Sequence, residues 1–376
     1  MNRLVSILGI TLLSSGLICS CSKTPGEITD NKTYTNEYYT NMLIPKTESG
    51  GQYMEETPDP SIVKGDDGYY YIFTTGNGGG KCFRSTDCVN WKLYLNSVIA
   101  RPTWGDNGGA QPSVWAPDAY KVGDTWIYYY SLSGWGNAIG VGYATSSSIA
   151  GPWEDQGKLF TCQEIGVDNA IDPCIIEDNG HLYMVFGSFQ GCALVELSED
   201  GMSLKGGAAI QNKEKVLLAG VYGPWNGSAY EGSYIVKKDD YFYCFGSQGT
   251  CCEGKNSTYK VVVGRSKDVK GPYVDDKNRP LGGTLGNGKL VVWASMNNEN
   301  IAGPGHNSVL IDDKGDYWLI YHAYCKRDNF QVRHLFMDKI LWDEQGWPYI
   351  EGYQPSYGEE LLGPSFEVKE NTNETK

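Results

Sequence analysis

Short apolar runs separated by Gly, Asp and Asn turns fill the chain from about residue 46 onward. Within them apolar and aromatic positions alternate, the period-two signature of strands with one buried face. Asp67-Gly68 and Asn179-Gly180 sit between such runs and predict tight antiparallel hairpins. No stretch sustains the 3.6-residue period of a long helix, so the expected class is all-β.

The runs repeat as larger units about 55 to 75 residues apart. One unit is an apolar strand, a polar turn and an aromatic strand. It occurs as DPSIVKGDDGYYYIFTT from Asp59, APDAYKVGDTWIYYYS from Ala116 and DPCIIEDNGHLYMVFGS from Asp172. It returns as EGSYIVKKDDYFYCFGS from Glu231 and GHNSVLIDDKGDYWLIYHA from Gly305. A second strand–turn–aromatic element follows most copies, ending at Trp91, Trp153 and Tyr273, with a fainter version at Pro348. Five units of two antiparallel hairpins predict a five-bladed β-propeller with four-stranded blades over residues 46–366. Two adjacent sandwiches could use as many strands, but nothing in them calls for five copies of one unit.

The ends read differently. Arg3 precedes an apolar run from Leu4 to Ile18, too short to span a membrane and the right length for a signal peptide over residues 1–20. Ser20-Cys21 fits a bacterial lipoprotein signal, with Cys21 the lipidated residue. Residues 21–45 are polar and predict a flexible tether, and residues 367–376 a disordered tail. The expected location is the bacterial cell envelope, outer membrane, on its periplasmic or outer face, with membrane contact through the anchor alone and the chain acting as a monomer. Of 11 cysteines, nine lie beyond Cys21, so at least one has no partner within the chain. They show no paired C-x-x-C spacing, which disfavours zinc. Cys174 and Cys244 fall in apolar strands as core fillers, whereas Cys82 and Cys88 flank a hairpin and could pair.

Charge narrows the partners. The formal net charge is −14, with no basic run, which disfavours nucleic acid, anionic lipid surfaces and acidic polysaccharides. Twenty-seven Tyr and 11 Trp suit a neutral sugar polymer, whose faces pack on rings without charge.

Aligning the repeats at their first strands brings Asp59, Pro117-Asp118, Asp172, Glu231 and His306 to the same position. In a propeller that position lies at the mouth of the central channel. Glycoside hydrolysis needs two carboxyl groups flanking one sugar bond, which such a mouth can supply from different blades. Each residue also has a structural reading. Asp before Pro commonly starts a strand, Asp118 reads as structural, and His306 could be a satisfied core histidine. Glu231 opens an apolar strand, and a buried acid is costly unless used.

At these residues the chain resembles family 43 glycoside hydrolases, most closely those that degrade arabinan, from about Thr57 to Pro355. Asp59-Pro60-Ser61-Ile62, Trp115-Ala116-Pro117-Asp118, Ala170-Ile171-Asp172-Pro173, Glu231-Gly232 and Gly305-His306-Asn307 look like that family's motifs in successive blades. Cys251-Cys252-Glu253-Gly254, continuing to Gly271-Pro272-Tyr273, looks like endo-1,5-α-arabinanases. The resemblance implies an inverting hydrolase of α-1,5-L-arabinofuranosidic bonds. In it Asp59 is the general base, Glu231 the general acid, and Asp172 raises the acid's pKa and holds it. It also implies a calcium ion on the axis near His306, although Ca²⁺ prefers oxygen ligands. Relatives often carry Pro where this chain has Ser233. Trp115, Phe189 and Trp225 are candidates to stack on furanose rings, and Arg333 to reach the channel. An exo-acting arabinofuranosidase, a β-xylosidase and a non-catalytic sugar-binding lipoprotein remain alternatives.

Overall fold

A computed structural model describes residues 32–105, 111–223 and 230–368. The signal segment with Cys21, Trp225 and residues 369–376 lie outside these ranges. Five four-stranded antiparallel sheets account for the five repeats. Their innermost strands are Ser61–Lys64, Val114–Val122, Cys174–Asp178, Glu231–Lys238 and Ile301–Ile311. Each touches the next, and the fifth touches the first, so the blades close into a five-bladed propeller. The Asn179-Gly180 hairpin takes positive φ at both residues, the two-residue turn its sequence predicts.

Large aromatic and aliphatic side chains fill the spaces between blades. Phe73, Tyr128 and Phe160 lie in the core shared by the first three blades; Phe245, Tyr321 and Phe336 lie between the last two. Polar residues at the axis join neighbouring blades directly. Asp118 accepts from the Ser61 hydroxyl at 2.6 Å and from the Ile175 amide at 2.9 Å, tying three innermost strands together. That is the structural role read for Asp118. Cys82, Cys88, Cys174 and Cys244 are buried thiols, so Cys82 and Cys88 do not pair.

The expectation of a flexible tether up to residue 45 needs correction. Tyr38–Tyr39 pairs with Leu361–Leu362, and Tyr34–Thr35 with Phe366–Glu367. Leu43 bridges Leu335 of the fifth blade, and the Leu93 amide of the first blade donates to Lys46 O at 2.8 Å. The segment therefore straps the last blade to the first. The physical reason is burial: Tyr39, Met42 and Leu43 are each at most 6% exposed, apolar anchors inside a polar-looking stretch. Glu367, read as the start of the tail, belongs to the strap's pairing.

Candidate active site

The channel mouth is built from strained backbone. Asp59, Ala116, Asp172, Gly232 and His306 have φ of 54°, 36°, 62°, 56° and 49°, one in each blade at the start of the innermost strand. For residues other than glycine this region costs about 1–3 kcal/mol each, and such strain concentrates at functional sites. Register slips occur beside it between Trp115 and Asp118, Glu231 and Tyr234, and Gly305 and Ser308. Bulges of this kind re-aim side chains. Gly232, rather than Glu231, is the structural counterpart of Asp59 and Asp172. Glu231 comes from one position earlier, and Ser233 occupies the place that Pro60, Pro117 and Pro173 take elsewhere.

Asp59 is held ionised. Its Oδ2 accepts from the Thr75 hydroxyl at 2.6 Å, and its Oδ1 lies 3.3 Å from His306 Nδ1, 3.4 Å from His322 Nδ1 and 3.7 Å from Arg333 Nη1. The Asp59 amide donates to His322 Nδ1 at 3.0 Å, which puts that ring's proton on Nε2. Burial pushes the Asp59 pKa up, but its neighbours, of which Arg333 alone is charged at neutral pH, more than offset it and hold the carboxyl well below the usual range. His306 itself is pushed down to about 4, chiefly by burial. At neutral pH the standing positive charge beside Asp59 is therefore that of Arg333, which Glu56 braces at 2.8 Å.

Glu231 is held the other way. Ser188 Oγ donates to its Oε2 at 2.7 Å, and Tyr259 OH to its Oε1 at 2.7 Å. Burial raises its pKa to about 7, with the Asp59 charge adding to the rise; both hydrogen bonds and Arg333 act against it. Asp172 is buried too, and accepts the Gly232 amide at 3.1 Å. Its pKa is raised well above the usual value, first by burial and then by the charges of Glu231 and Asp59. Three carboxyls around one mouth cannot all ionise. Arg333 favours the charge on Asp59, and the proton is shared between the acid Glu231 and its neighbour Asp172, both of which burial pushes up. Asp172 meets the Glu231 strand through the Gly232 amide, and the charges of Asp172 and Glu231 act on each other, beside the rise that burial and Asp59 give Glu231.

These groups line a cavity of about 460 Å³. Trp115, Phe189, Arg333 and His306, all singled out from the sequence, line it as well. Thr75, Ser188, Tyr259 and Trp135 line it and were not anticipated, and His322 contacts Asp59 from just behind. The hydroxyls sit within ordinary strand and turn sequences with no local signal. His322 lies in an apolar strand, where it reads as core.

His306 joins no set of three His, Cys, Asp or Glu ligand atoms among the described residues; the one such set is Cys325, Asp328 and His334. Calcium takes six to eight oxygen ligands, so a lone imidazole fits it poorly.

Residues 54–348 match the family model for glycosyl hydrolases family 43. The chain is 36% identical over 310 residues to an extracellular exo-α-(1→5)-L-arabinofuranosidase of Cellvibrio japonicus, covering 78% of this chain and 86% of that one. It is 31% identical over 301 residues to an extracellular endo-α-(1→5)-L-arabinanase of Bacillus subtilis, covering 77% and 86%. Among solved structures, a Cellvibrio cellulosa α-L-arabinanase complexed with arabinohexaose superposes with TM-score 0.68 at 33% identity, covering 79% of this chain and 96% of that one. A Bacillus licheniformis endo-arabinanase gives 0.64 at 32%, covering 79% and 98%. A five-bladed propeller carrying these carboxyls at its mouth, with a family match along most of its length, places the chain in glycosyl hydrolases family 43.

Proposed function

We propose that this glycoside hydrolase cleaves α-1,5-L-arabinofuranosidic bonds of arabinan with inversion. The single observation that carries the chemistry is one cavity holding a carboxyl kept ionised, Asp59, and a second kept protonated to about pH 7, Glu231. An acid and a base with separated pKa values are what a two-carboxyl glycosidase requires. Asp59 takes a proton from the attacking water as that water reaches the anomeric carbon. Glu231 gives its proton to the departing glycosidic oxygen. Asp172 positions the backbone beneath Glu231, and Arg333 keeps Asp59 charged and oriented. Trp115 and Phe189 supply apolar walls for furanose rings. Inversion requires the two carboxyls to stand about 6.5–9.5 Å apart, room for a water.

The substrate assignment leans on the relatives' names and on the neutral, aromatic character of the cavity. Linear arabinan is the test substrate. Proton NMR of the first-formed reducing ends should show β-configured arabinofuranose; α-configured ends would overturn inversion. Early appearance of medium-length oligosaccharides supports endo action. The exo reading is kept because the 36% identical relative is named an exo enzyme, and release of arabinose alone from the outset would establish it. A wild-type protein inert on arabinan and xylan alike would leave only sugar binding.

Secretion and lipidation at Cys21 belong to the same proposal, supported by the leader sequence and by relatives named extracellular. Cys21→Ala should release the protein from the membrane fraction in soluble form. A calcium ion at the axis would have His306 as its protein ligand and water for the rest. Activity lost to a chelator and restored by Ca²⁺ would support it; activity unchanged by chelation would remove it.

A further inference from the structure

One part of the cavity wall has no role in the chemistry above. Cys251 and Cys252, adjacent in sequence, are joined to each other by a disulfide, and both line the cavity that holds Asp59 and Glu231. Cys251 is half-buried and Cys252 exposed. The other seven cysteines among the described residues are buried thiols. The single disulfide seen there thus sits where a ligand would meet it.

A disulfide stabilises a fold mainly by closing a long loop, and the effect grows with loop length. A bridge between neighbouring residues closes almost none, so ordinary stapling gives no reason for it. What it does provide is a compact apolar facet with no side-chain torsion left to lose on binding. Sulfur is soft and polarisable and packs well against carbon surfaces. The surrounding loop is fastened independently. The Thr250 amide donates to Thr258 Oγ1 at 3.0 Å, the Tyr259 amide to Thr250 O at 3.2 Å, and the Glu253 amide to Ser257 Oγ at 2.9 Å. The facet is therefore presented rigidly, at the same end of the blade as Glu231, which pairs with Ser247 just before the loop. A neutral furanose offers C–H faces and no charge, and a preorganised apolar surface binds such a face with little ordering cost.

We infer that the Cys251–Cys252 disulfide is a substrate platform: one furanose ring of the bound chain packs its C–H face on the two sulfurs. The inference rests on the cavity being the polysaccharide site. Its contribution is to binding, so it should appear in KM and Kd and leave the bond-breaking step alone.

Two arms test it in the full chain. In the first, binding of linear arabinohexaose to Glu231→Gln is measured by calorimetry, with and without Cys251→Ala/Cys252→Ala. In the second, Glu231→Gln and the wild-type enzyme are treated with a dithiol reductant. The S–S bond breaks, the reductant's two thiols give two electrons and two protons to form two cysteine thiols, and the reductant becomes a cyclic disulfide. The seven other described cysteines have no bridge to lose. In both arms Kd should rise about tenfold, about 1.4 kcal/mol. For the reduced wild type KM on arabinan should rise similarly, with kcat within about twofold. Should the double variant fail to fold, the reduction arm decides. Kd unchanged in the reduced protein overturns the platform. A fall in kcat with KM unchanged also overturns it, because the loop would then act through Tyr259. A wild-type protein that neither binds nor cleaves arabinan overturns the proposed substrate instead, and the untreated arm alone reads that outcome.

Discussion

A carboxyl gives or takes a proton according to what surrounds it, and Asp59 and Glu231 are set to opposite tasks by neighbours that can be removed one at a time. The roles are separable by leaving group. Glu231→Gln should lower kcat on arabino-oligosaccharides by about 10²–10⁴-fold. The loss should be much smaller on an aryl arabinofuranoside whose leaving group needs little protonation. Asp59→Asn should be equally damaging on both substrates, because water activation is needed in either case. Equal losses for Glu231→Gln on the two substrates would sink its role as acid. The pH profile carries the same assignment. Glu231 works protonated, so with its pKa raised to about 7 the activity should fall as pH rises through that value. Asp59 works ionised and titrates well below the usual range, so it imposes no loss between about pH 5 and 7. Tyr259→Phe removes a hydrogen bond that favours the charged form of Glu231. Its basic limb should therefore move to higher pH, with kcat reduced. A downward move of that limb in a kcat/KM profile would mean that Tyr259 acts otherwise.

At the scale of the element, the five strained positions at the channel mouth are what the repeats deliver to the site. Gly232 is the glycine among them, and a Cβ there would lie 2.9 Å from the His306 ring at φ +56°. Gly232→Ala should cost about 1–3 kcal/mol of stability from left-handed strain. It should also lower kcat, by pushing His306 against Asp59 and shifting the amide that Asp172 holds. Thermal unfolding and kinetics on the same sample would check both, and an unchanged kcat would show that the mouth absorbs the methyl group. Strand alternation and the spacing of the copies made the propeller legible, because a period-two pattern has to bury one face wherever the chain runs. Asp59, Asp172 and Glu231 were legible as acids opening apolar strands, where an idle charge is too costly to keep. The one-residue offset of Glu231 was not, because a bulge changes register without changing composition. Nor were Ser188 and Tyr259, whose hydroxyls look like any others until the fold turns them on Glu231. Residues 34–45 misled in the opposite sense: three buried apolar anchors amid Thr, Asn and Glu carry too weak a pattern to reveal a strap.

The strap matters to the whole molecule because the site lies across the seam it closes. Asp59 belongs to the first blade, whereas Arg333, whose charge holds it ionised, belongs to the fifth, as do His306 and His322 packed beside it. No covalent bond joins those blades side by side; the chain runs the full circle between them. Segment 34–46 crosses the seam. The Tyr39 hydroxyl and Asn41 Nδ2 reach Met337 O at 3.0 and 2.7 Å, Asn41 Oδ1 accepts the Met337 amide, and Lys46 pairs along the outer strand of the first blade. A chain starting at residue 46 loses the Tyr39 and Asn41 hydrogen bonds and the buried side chains of Tyr39, Met42 and Leu43, several kcal/mol in total. The loss is local to the seam, so it should open first and misplace the base before the other blades unfold. The shortened chain is therefore expected to lose activity at a temperature below its main unfolding transition, whereas in the longer chain the two coincide. Asn41→Ala should show the same separation more weakly, since it removes a buried hydrogen-bonding group worth about 1–3 kcal/mol. Activity and near-ultraviolet circular dichroism followed over one temperature ramp would distinguish the cases. If the shortened chain keeps its activity up to the main transition, the first and fifth blades hold together through their own interface, and the strap contributes stability without guarding the site.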